Sequence, residues 1–140
     1  MRIKNYILYY ACIMSFIGAF IHILTIYAGP DWYRFFGAGE EIAQLAEQGH
    51  WFPPVACLVI GGICFTWGLY ALAGARVIKY LPWTRGILFS IAAVLIFRNI
   101  LFFPIDLSIP FDVWTFVMTL SMGLSYLYGG LTYTDSKQGD

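Results

Sequence analysis

The sequence predicts an all-α integral membrane protein, a bundle of four spanning helices with a short amphipathic helix between the first and second. Two observations carry this. Hydrophobic residues make up 60% of the 140-residue chain and charged residues only 11%, where a soluble domain carries roughly a quarter charged. The apolar residues also gather into four stretches near the length of about 20 residues that crosses a bilayer as helix.

The first stretch, Tyr6–Ala28, follows a basic start at Arg2 and Lys4. A secretory signal opens the same way, but its apolar core runs only about 7–15 residues to a small-residue cleavage site. This run continues without such a site and reads as an uncleaved span. Ala11, Ser15 and Ala19 recur at four-residue spacing with Gly18 alongside, a face that lets helix backbones approach closely in lipid. His22 shares that face.

The second stretch, Pro54–Ala75, has proline in its first turn, where proline is tolerated. The third, Gly86–Phe103, carries Arg98 and stops before Pro104; the fourth, Phe111–Tyr133, places Ser121, Ser125 and Gly129 at four-residue spacing. Cys12, Cys57 and Cys64 fall inside apolar segments without CxxC spacing and read as packing residues.

Between the first two spans lies a polar island, Gly29–Pro54, containing Asp31, Arg34, Glu40, Glu41, Glu47 and His50. Residues 39–48 read as a helix, with Glu40 and Glu41 in the first turn and Gly49 as its stop. Ile42, Leu45 and Ala46 form its apolar face, and Phe35 and Phe36 precede it as interfacial residues.

Orientation follows from the basic residues. Arg2, Lys4, Arg76, Lys79, Arg85 and Lys137, six of the eight, fall on one side of the predicted spans. The positive-inside rule makes that side cytoplasmic. Both termini are then cytoplasmic in a bacterial inner membrane, and the acidic island is periplasmic. Trp32, Tyr33, Trp51, Phe52 and Trp114 form the outer aromatic belt.

Ionisable groups at membrane depth are costly and mark sites by default. His22 and Arg98 each lie roughly 9 Å inside the outer face at helical rise. His22 and His50 with Glu40 or Glu41 supply the donor inventory for zinc or another divalent metal. Arg98, Asp106 and Asp31 would surround it or clamp an anion. The spacing shows no HExxH, and GxSxG, GxGxxG and GxxxxGK[ST] are absent. The structural alternatives are a hydrogen-bonded His22, an interfacial His50, an Arg98 that snorkels or pairs with Asp106, Glu40 or Glu41, and glutamates that offset the helix dipole.

The stretches GPDWYRFFGAGEEIA, WGLYALAGA and LIFRNILFFPID resemble the small four-helix inner-membrane proteins of Gram-negative bacteria of the AciT type, associated with membrane defence in Acinetobacter. The resemblance covers nearly the whole chain and implies a protein supporting envelope integrity with a bound zinc ion.

Two functional classes stand at this stage. One is a metal-binding polar site open to the outside, acting on or binding a lipid or envelope molecule, by metal-assisted hydrolysis if catalytic. The other is a non-catalytic structural or partner-binding membrane protein whose polar residues form a satisfied network, with homo-oligomers through the small-residue faces. A transporter would need polar residues into the cytoplasmic half, which holds only scattered Ser, Thr and Cys. Zero net charge gives no ground for a nucleic-acid partner; the lipid bilayer is the partner the composition demands.

Overall fold

A computed structural model describes residues 2–79, 81–101 and 110–134, with side chains from residue 6 onward and none at Pro110. Among the described residues there are six helices and no strand. They are α1 (Arg2–Ala28), α2 (Pro30–Phe35), α3 (Glu40–Glu47), α4 (Phe52–Gly74), α5 (Thr84–Leu101) and α6 (Pro110–Thr132). The protein is an all-α helical membrane protein. Three helices are long and apolar enough to cross a bilayer: Tyr6–Ala28 within α1, α4 and α5. The predicted fourth span corresponds to α6, which is 23 residues long. Its apolar character is diluted by Ser, Thr, Tyr and Gly, and it is not among those three. The predicted end of the third span at Phe103, and Pro104, lie outside the described residues.

The contacts divide the chain into two units. In the first, Met1–Met14 with Trp67–Asp140, α5 and α6 pair. Small residues set how closely the helices approach, because lipid supplies no hydrophobic drive between them. A Cβ added at Gly129 would lie 2.5 Å from Leu8 Cδ2. One at Gly123 would lie 3.1 Å from Ile96 Cγ1, and one at Gly74 would lie 3.0 Å from Leu88 Cδ1. The Gly129 position expected to serve a second copy is therefore covered from within by Leu8. Polar side chains tie the same helices: Tyr10 Oη and Ser121 Oγ are 2.6 Å apart. Thr119 Oγ1 donates to Asn99 Oδ1 at 2.9 Å while Asn99 Nδ2 donates to the Leu95 carbonyl at 3.0 Å.

The second unit, Ser15–Thr66, contains the polar island. Gly61 brings α4 against α1: a Cβ added there would lie 3.4 Å from both the Ala19 carbonyl and His22 Cβ. Ser15 and Ala19 are buried, as their spacing predicts. At the end of α1 the backbone turns at Gly29, whose φ of 89° only glycine adopts easily, and Pro30 opens α2. The sequence reading places a helix in the island only at residues 39–48, so this short helix is an addition to it.

Both short helices end the same way. The Gly37 N–H reaches the Arg34 carbonyl (3.1 Å) and the Ala38 N–H that of Tyr33 (2.9 Å). After α3, Gly49 and His50 repeat this on Ala46 (3.1 Å) and Leu45 (2.9 Å). These are Schellman motifs, with glycine in the left-handed conformation they require. The predicted stop at Gly49 is physically this motif.

Candidate functional site

α2 has three faces. Tyr33 points inward, 3% exposed, into a cluster with Ala43 of α3 and Cys57 of α4, against which Ile26, Ile42 and Ala46 pack. Burial pushes the Tyr33 phenol up to about 12, with the Cys57 thiol adding to the shift. Tyr33 is thus a core residue and not the exposed belt aromatic expected from its neighbours. Arg34 lies on a second face and reaches α3, with the exposed Asp31 beside it. Trp32 and Phe35 occupy the third.

Arg34 joins the two short helices. Its Nε and Nη2 donate to Glu40 Oε2 (2.9 Å) and Oε1 (2.8 Å), a two-pronged pairing suited to the planar guanidinium. Nη2 also meets Glu47 Oε1 at 2.6 Å, and Nη1 meets Asp31 Oδ1 at 3.3 Å. Glu40 and Glu47 are seven residues apart, two helical turns, so they share one face of α3. This pairing holds the Glu40 carboxyl below the ordinary glutamate range, chiefly through its hydrogen bonds from Arg34, and raises the Arg34 guanidinium.

The folded pKa of Glu40 lies below its unfolded one, so its pairing with Arg34 contributes fully above the ordinary glutamate value. That contribution is lost as pH falls through the depressed folded value. The protection factors of residues 30–49, that is, amide exchange relative to the intrinsic rate at each pH, are expected to fall over that acidic window and to stay flat above it. These groups are solvent-exposed, so the change is modest.

The two histidines hold opposite tautomers. His22 Nδ1 lies 2.7 Å from the Gly18 carbonyl, which only accepts, so Nδ1 carries the proton and Nε2 keeps its lone pair. His50 Nδ1 accepts the Phe52 N–H at 3.2 Å, so the neutral ring carries its proton on Nε2. His50 thereby caps α4. Of the four N–H groups a helix start leaves unpaired, Pro53 and Pro54 have none and Phe52 goes to His50; Val55 then makes the first intrahelical bond, to the Trp51 carbonyl at 3.4 Å. His50→Ala is expected to cost about 1 kcal/mol in a thermal or denaturant melt, with His50→Asn recovering much of it.

The metal expectation therefore meets specific obstacles. His50 has its lone pair on the Phe52 N–H, and ligation through Nε2 would move the proton onto that same contact. Glu40 is engaged by Arg34. Among the described residues no group of three or more His, Cys, Asp and Glu side chains comes together to hold a metal ion. His22, Glu40, Glu41 and His50 are thus not brought together as a set among the described residues, and of the two histidines His22 is the one whose Nε2 is left open by its hydrogen bond. Asp31 serves Arg34. Arg98 belongs to the first unit, where Nη1 donates to Thr119 Oγ1 at 3.3 Å. Asp106 lies outside the described residues.

Sequence reasoning overlooks Arg34 and Glu47 as a structural pair, although Arg34 is the one cation of the island and the seven-residue spacing from Glu40 to Glu47 is readable. It also gives Asn99 little weight beside Arg98, although Asn99 is 3% exposed and bonded to α6, beside a groove of about 240 Å³ lined by Ile96, Ile100, Phe116 and Leu120. Comparison with protein-family models, curated proteins and solved structures gives no match.

Proposed function

We propose that the chain is a non-catalytic integral protein of the bacterial inner membrane, structural or partner-binding, that supports the envelope. Both termini lie in the cytoplasm and the α2–α3 headpiece lies in the periplasm. α6 is the fourth span: 23 residues at helical rise reach roughly 34 Å, and an even number of spans returns the C-terminus to the side of the N-terminus. Arg76, Lys79 and Arg85 in the α4–α5 connection support that orientation.

The observation that carries the reading is where the polar atoms go. Arg34 holds three carboxylates, His50 caps α4, and Asn99 and Thr119 join α5 to α6. Among the described residues every buried side-chain nitrogen and oxygen has a partner. Arg34, Glu40, Glu47, His50 and Asn99 are thus occupied in holding the protein together, as a satisfied network requires.

Elemental analysis of the purified protein tests this beside a double-mutant cycle on Asn99→Leu and Thr119→Val. The expected results are metal far below one ion per chain and a coupling of about 0.6 kcal/mol, typical of interhelical hydrogen bonds in membranes. Stoichiometric zinc, lost in both His22→Ala and His50→Ala, would overturn the proposal in favour of a metal site.

A further inference from the structure

The third face of α2 is exposed aromatic surface. Trp32 and Phe35 are 38% and 66% exposed, and Phe36 packs its ring against both, at centroid distances of 5.6 and 5.0 Å. At the start of α4, Trp51 and Phe52 are 66% and 42% exposed. Aromatic surface of this extent outside the protein interior marks an interaction surface.

Two features name the occupant. α2 follows α1 after the single residue Gly29, and Trp51 immediately precedes α4. Trp32 and Trp51 therefore lie within a few residues of the ends of two spanning helices, the level where tryptophan prefers to sit. The headpiece also carries four carboxylates, Asp31, Glu40, Glu41 and Glu47, against the one guanidinium of Arg34. Anionic headgroups are repelled there, while an ammonium group is drawn both to the carboxylates and to the faces of the tryptophans.

We propose that Trp32, Phe35, Trp51 and Phe52 form a docking surface for zwitterionic phospholipid, whose ammonium headgroup meets the acidic headpiece. The proposal deepens the function above by naming a lipid partner, and rests on it only in placing α1 and α4 across the bilayer.

Two variants of the full chain test it, one retaining only Trp32 and Trp51 among the five tryptophans, the other only Trp67, with phenylalanine elsewhere. Each is placed in vesicles of phosphatidylethanolamine with phosphatidylcholine, or of phosphatidylglycerol, containing lipids brominated near the headgroup or deep in the chains. Shallow bromines are expected to quench Trp32 and Trp51 at least twofold in zwitterionic vesicles and clearly less in anionic ones, with Glu41→Gln narrowing the difference. Equal quenching in both lipids overturns the ammonium preference. Quenching by aqueous acrylamide without any by bromolipid overturns the docking surface and points to a soluble partner or a second copy. Trp67, within α4, separates the two claims: if deep bromines fail to quench it, the membrane placement has failed instead. Lipid retained by the wild-type chain in detergent gives an independent readout by mass spectrometry. Amine-headgroup lipid enriched over anionic lipid is expected, and parity overturns the proposal.

Discussion

Tyr33→Ala is expected to release α2 and α3 from α4 while leaving the spans helical. The side chain is almost fully buried between Ala43 and Cys57, and removing a buried aromatic of this kind costs about 3–5 kcal/mol. The loss falls on a small element. Beyond the Tyr33 cluster, what holds the headpiece is the exposed Arg34 pairing, worth little in water. Hydrogen exchange should therefore rise to nearly unprotected rates across residues 30–49, with α5 and α6 unchanged. Cys57 should become open to a thiol reagent that reacts slowly with the parent. Tyr33→Phe keeps the ring and is expected to retain most of the protection, so the pair of variants separates packing from the hydroxyl. Unchanged exchange in Tyr33→Ala would show that the headpiece is held by something other than this cluster.

Gly129→Val is expected to destabilise the packing of α6 on α1. Its Cβ would stand 2.5 Å from Leu8 Cδ2 and 3.2 Å from Leu8 Cγ, so both the added atom and its branches press on a buried leucine. Overpacking of this sort costs about 1–3 kcal/mol. Gly62→Val is the control, because a Cβ there meets nothing within 4 Å, and it should leave the melting temperature nearly unchanged. Leu8→Ala in the Gly129→Val background is expected to restore part of the loss. If the two glycine variants melt alike, α1 and α6 do not pack as described.

The helical architecture is legible in the sequence because lipid imposes a coarse code. Apolar runs of spanning length, the glycine stop after α3 and the small-residue spacing of Ala11, Ser15 and Ala19 each report a local constraint that the fold obeys. α2 escapes because six residues carry too little periodicity to announce a helix, and Gly-Pro reads equally well as a turn. Tyr33 escapes for a related reason: with Trp32 and Phe35 as neighbours, nothing local says which aromatic turns inward, and the presence of Cys57 and Ala43 decides it.

The candidate site is less legible still. Residue types suggest a metal, but ligation depends on which nitrogen keeps its lone pair. That is decided by the Gly18 carbonyl and the Phe52 N–H, partners no composition reveals. Likewise Asn99 sits one residue from Arg98, about 100° around the helix at 3.6 residues per turn, and only the position of α6 shows which of them is buried.

The opening of α4 bears on which solutes can visit this end of the protein. A long helix ordinarily presents a crown of free amide hydrogens at its start, a natural seat for sulfate, phosphate or a free carboxylate. Here two prolines delete half that crown, and the Phe52 hydrogen is turned onto an imidazole. An oxyanion arriving between α3 and α4 would find a hydrogen-poor rim with Trp51 and Phe52 beside it.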